Sequence, residues 1–106
     1  MKTTYNKIVR DRIPEIIEQS GKRARFVRVS PEQALAGLSE KLVEEAAEFR
    51  ESGEAEELAD VLEVIHGILY HRGLSMEEVE RIRLKKRGER GGFLEGVRLL
   101  EVDDGD

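Results

Sequence analysis

At 106 residues the chain has room for one small hydrophobic core, and a single domain over residues 1–106 is expected. It has no cysteine, which excludes a disulfide framework and a thiolate metal site, and with only two histidines a zinc centre would need carboxylates to complete it. Hydrophobic and charged residues each make up 39% against 5% aromatic, a balance that favours helices with Leu, Ile and Val faces over a β sandwich.

Charge is unevenly spread. The formal net charge is -5, yet Glu40 to Asp60 holds nine acids and two bases, and Arg81 to Arg90 holds six bases and one acid. Lys7 to Arg28 adds seven bases against three acids. An acidic centre between basic arms suits a divalent cation together with a polyphosphate, although solvated helix faces account for any one run taken alone. Short basic arms, few aromatics for stacking and a negative total disfavour a nucleic-acid partner. No apolar run approaches the roughly 18 residues that span a bilayer, and MKTTYNK lacks the apolar centre of a signal peptide, so no membrane partner and a cytoplasmic location are expected.

In chain order, YNKIVRDR (residues 5–12) leads into a short helix that Pro14 restricts to a start near Asp11, with Asp11 as its cap and Ser20-Gly21 as its end. Asn6, Lys7 and Arg10 lie just ahead of it, able to hold phosphate or simply to decorate the surface. Residues 24–29, ARFVRV, have modest strand character and pair in expectation with residues 96–102 as a minor two-stranded ribbon. Ser30-Pro31-Glu32-Gln33 is a capping-box helix start. Leu35, Leu38, Leu42, Ala46 and Phe49 follow at helical spacing within an arc of about 80°, with Glu45 about 20° beyond Leu38 and Glu44 turned to the far side. A carboxylate bordering a core seam is costly unless something neutralises it.

Gly53 ends this helix and a second begins at once, with a core stripe of Leu58, Val61, Leu62, Ile65 and Leu69 flanked by Glu57 and Asp60. Val64 continues the carboxylate line, which makes the helix apolar on two sides. Gly73 closes it, and Ser75 with Glu78 opens a third long helix that carries Met76, Val79, Ile82 and Leu84 inward. That helix ends in KKRGERGG, where Lys85, Lys86, Arg87 and Arg90 beside glycines can meet an anion or merely suit the helix dipole. Phe93 to Leu100 offers apolar residues to the core. The fold class is therefore all-α: an antiparallel hairpin within a four-helix-type bundle, completed by dimerisation as a homodimer or homotetramer.

Across Gly53 the pairs Glu45/Glu48 and Glu57/Asp60 fall at nearly the same level of the hairpin, offset by about 1.5 Å. Lys41 and Arg50 are too few to balance them. Oxygen-only ligation suits a hard cation, Mg²⁺ or Mn²⁺, with a salt-bridge cluster as the alternative.

KLVEEAAEF and EELADVLEVI resemble the ExxE and ExxD signature of the all-α nucleoside triphosphate pyrophosphohydrolases, the MazG, dimeric dUTPase and phosphoribosyl-ATP pyrophosphohydrolase superfamily. YNKIVRDRIPEII and RGGF resemble its small single-domain MazG-like branch. The resemblance implies that Glu45, Glu48, Glu57 and Asp60 hold Mg²⁺ and that Lys86 and Arg90 contact phosphates, and it implies metal-assisted hydrolysis of the α–β phosphoanhydride of a nucleoside triphosphate to monophosphate and pyrophosphate. In that mechanism Glu45 and Glu48 are the expected catalytic carboxylates, with Glu48 taken as the base although spacing does not separate ligand from base, and Lys7 and Arg10 join Lys86 and Arg90 in offsetting charge on the pyrophosphate. Glu44, Lys41 and Asn6 are additional candidates. House-cleaning of non-canonical nucleotides is the expected role, with phosphoribosyl-ATP hydrolysis or a non-catalytic helical dimer as alternatives.

Overall fold

A computed structural model describes residues 1–105. Four helices follow one another: α1 (Ile13–Gln19), α2 (Pro31–Ser52), α3 (Ala55–Arg72) and α4 (Met76–Arg90). The chain divides into two compact units, Met1–Ser75 and Met76–Asp106.

The first unit is organised by the α2–α3 hairpin. The Ser30 hydroxyl accepts from the Gln33 amide while the Gln33 side chain accepts from the Ser30 amide, so two orphan donors of α2 are satisfied reciprocally. At the other end Gly53 takes a left-handed conformation (φ 68°) and its amide bonds back to the Phe49 carbonyl. Only glycine adopts that geometry without a steric cost, and α3 starts two residues later. Gly73 closes α3 in the same way.

The apolar stripes expected from periodicity are rotated in the fold. Ala34, Leu38 and Glu45 are the buried residues of α2, whereas Ala46 is exposed. The buried meridian is thus turned about 60° from the centre of the Leu35–Phe49 arc and runs through Glu45. On α3 burial is split between two lines, and Leu69 of the expected stripe is buried. Val64 is buried with Glu57, Asp60 and Val61 half-buried beside it, while Leu58 and Leu62 are 47% and 56% exposed. The helices meet where side chains are small: a Cβ added at Gly67 would stand 3.3 Å from Leu38 Cδ1. Close approach at Gly67 brings the carboxylate line against α2 and leaves Leu58 and Leu62 outside, while Leu69 of the same apolar stripe is buried. α3 therefore buries one residue from each of its two apolar lines, Val64 and Leu69.

Three further expectations are corrected. Arg12, not Asp11, stands at the cap of α1, and no side chain caps it. No strand forms among the described residues, so the ribbon of residues 24–29 and 96–102 is absent; an isolated two-stranded ribbon is marginal in water. In the second unit α4 has no buried residue, with Ile82 and Leu84 58% and 53% exposed. Phe93, Leu94, Val97, Leu99 and Leu100 are likewise exposed, because a helix charged at most of its positions gives them little apolar surface to bury against.

Candidate metal centre

The carboxylates gather near the mid-level of the hairpin. Glu45 comes from the buried meridian of α2, and Glu57 and Asp60 come from the facing line of α3. These three offer oxygens within 4.8 Å of one another. A second triplet, Glu44, Glu45 and Glu48, meets the same criterion on α2 alone. Glu45 belongs to both.

Glu45 is the decisive side chain. It is 7% exposed, the only buried charged residue among those described. Its Oε1 lies 3.4 Å from Lys41 Nζ, while its Oε2 is buried with no hydrogen-bond partner. A buried carboxylate oxygen without a donor is costly, and a cation reaching it removes that cost. Burial pushes the Glu45 carboxyl above the ordinary carboxylate value, and the adjacent Glu48 carboxylate pushes it further; Lys41 pulls only partly the other way.

Glu44 does not turn to the far side. It sits about 40° from Glu48 around the helix, one turn earlier, so the two meet even though Glu44 lies about 100° from Glu45. Lys7 Nζ donates to Glu44 Oε1 at 3.0 Å. That hydrogen bond holds the Glu44 carboxyl below its usual value and, together with Coulomb attraction, holds the Lys7 ammonium above its own. Arg10 Nη2 donates to Asp60 Oδ1 at 2.7 Å. Two of the basic residues expected at phosphate are therefore on the carboxylates here.

Asn6, just before Lys7, is exposed and adopts φ 44°, a left-handed conformation that asparagine tolerates better than most residues. Lys86 and Arg90 lie on α4, in the second unit, and both are exposed. Comparison with protein-family models, curated proteins and solved structures returned no match for the chain. The site accordingly rests on its own geometry.

Every donor in both triplets is a carboxylate oxygen, and either group could hold a metal ion. Sequence periodicity missed the contact between Ile8 and Gly37, where a Cβ at the glycine would collide with the isoleucine. A glycine inside a run of good helix formers was the available signal.

Proposed function

We propose that the chain is a Mg²⁺-dependent nucleoside triphosphate pyrophosphohydrolase. The buried, unpartnered Oε2 of Glu45, shared by two carboxylate triplets, carries this reading. Salt-bridge clusters seldom leave a buried carboxylate oxygen without a donor, whereas a cation-binding cage has a use for it. The resemblance of the ExxE and ExxD blocks supplies the reaction, and the NTP pyrophosphohydrolase superfamily is the family we propose for the chain.

Glu45, Glu57 and Asp60 would hold the cation between the helices, with Glu48 and Glu44 completing the α2 side. The bound cation supplies charge neutralisation at phosphate oxygens and activation of water. Glu48, exposed and grouped with Glu45 on α2, would accept a proton from the attacking water. Lys7 and Arg10 would offset charge on the departing pyrophosphate. A cytoplasmic house-cleaning role follows from the substrate class. Mg²⁺-dependent pyrophosphate release from a panel of nucleoside triphosphates tests the proposal: Glu45→Gln and Asp60→Asn should abolish it, and full activity in both variants refutes it. Phosphoribosyl-ATP belongs in the same panel as the alternative substrate.

A second reading has its own support. Val43, Leu58, Leu62 and Tyr70 are exposed on the two hairpin helices, and only four hydrophobic residues are buried among those described. Such a chain gains stability by covering exposed apolar side chains with a second copy, giving a homodimer or homotetramer. A non-catalytic helical dimer would share this feature, but its melting temperature would ignore Mg²⁺.

A further inference from the structure

The segment ahead of α1 is fastened to the hairpin at three points. Ile8 seats in the notch left by Gly37 on α2, where a Cβ would meet its Cγ1 and lie 3.3 Å from its Cδ1. Glycine weakens a helix interior, and at this position the missing side chain makes the seat. On either side of Ile8 a cation reaches a different helix: Lys7 goes to Glu44 on α2 and Arg10 to Asp60 on α3. Glu44 belongs to one carboxylate triplet and Asp60 to the other. The segment thus holds one oxygen of each.

We propose that residues 6–10 form a strap that closes over the acidic cage, with Lys7 and Arg10 standing in for a divalent cation, and that opens at those two carboxylates when such a cation binds. The proposal rests on the metal reading above and adds its regulation. Both ion pairs are largely solvent-exposed, with side-chain exposures of 44% and 38% for Lys7–Glu44 and 55% and 38% for Arg10–Asp60, so each is weak and exchangeable. A divalent ion offers the same carboxylates contacts of about 2.1 Å and twice the charge. Ile8 is a single half-buried anchor, so its departure leaves the α2–α3 hairpin intact. Once released, Lys7 and Arg10 remain tethered beside the cage as unpaired cations. An anion such as pyrophosphate, arriving with the metal, then finds two donors that the closed strap withholds.

Limited trypsin digestion of the whole protein, with Mg²⁺ alone as the probe, reads the strap directly. Cuts after Lys7 and Arg10 should become about threefold faster or more at saturating Mg²⁺, the scale set by exchanging two weak ion pairs, while cuts within α2 and α3 slow. Gly37→Ala expels Ile8 without altering any charge and should bind Mg²⁺ roughly twofold to fivefold more tightly in calorimetry. Ile8→Ala empties the seat from the other side and provides the same measurement if the glycine variant does not fold. Mg²⁺ binding that leaves the cuts after Lys7 and Arg10 unchanged or slower, or a seat variant that binds no more tightly, overturns the strap. Absence of any Mg²⁺ binding to the unaltered protein is a different result and overturns the metal reading first.

Discussion

Replacing Glu45 with glutamine should stabilise the metal-free protein and abolish its response to Mg²⁺. The side chain is 7% exposed, and one oxygen has no donor. An unsatisfied buried polar group costs about 1–3 kcal/mol, more when charged, and the substitution gives up a contact with Lys41 in return. A net gain of about 1 kcal/mol raises the melting temperature by roughly 4–8 °C in a domain of this size. The pH dependence has a definite sign. Because burial and then Glu48 hold the folded carboxyl above 4.5, the folded state binds this proton more tightly than the unfolded chain. That contribution is present below the ordinary value and lost as pH rises through the raised folded value, so the variant's advantage widens from acid to neutral pH. At about a hundredfold excess over its Kd, Mg²⁺ adds about 2.7 kcal/mol to the unaltered protein, or roughly 10–20 °C, and nothing to the variant. Thermal melts at acid and neutral pH, with and without Mg²⁺, measure all three quantities. A variant that melts below the parent at neutral pH without metal, or that gains as much from Mg²⁺, refutes the reasoning.

Three other outcomes are expected. Ser30→Ala removes the hydroxyl half of the α2 capping box and should cost about 1 kcal/mol in chemical denaturation, within the range of other lost N-caps. Gly53→Ala meets no atom within 4 Å, so its loss of about 1–2 kcal/mol should come from the left-handed backbone alone, and Gly53→Asn should recover part of it in the same assay. Leu62→Glu, on the exposed line of α3, should leave helicity unchanged by circular dichroism yet shift the sedimentation coefficient from assembly to protomer.

Much of the hairpin was legible locally. Ser30 with Gln33, Gly53 and Gly73 mark the ends of α2 and α3 through short-range hydrogen bonds and positive φ, and both are properties of a few adjacent residues. The acidic pairs were visible for a similar reason, since i, i+3 spacing stacks side chains on any helix. Which line of each helix faced its partner was not. Leu58 and Leu62 are as apolar as any core residue, and only the approach of Leu38 to Gly67 turned the Glu57–Asp60–Val64 line inward. Glu44 lies away from the apolar arc, and only its stacking one turn from Glu48 brings it into the α2 triplet. The late apolar segment 93–100 stays exposed because its own unit offers no core to bury it.

The sequence by itself therefore determined the long helices, the caps of α2 and α3 and the antiparallel hairpin, all of which follow from backbone geometry over a few residues. Tertiary structure alone decided the rotation of each helix, the burial of Glu45, and the partners of Lys7 and Arg10. The ion pairs join residues 37 and 50 apart, and the helix contact depends on the approach of Leu38 to Gly67, where a missing Cβ competes with the periodicity of the stripe.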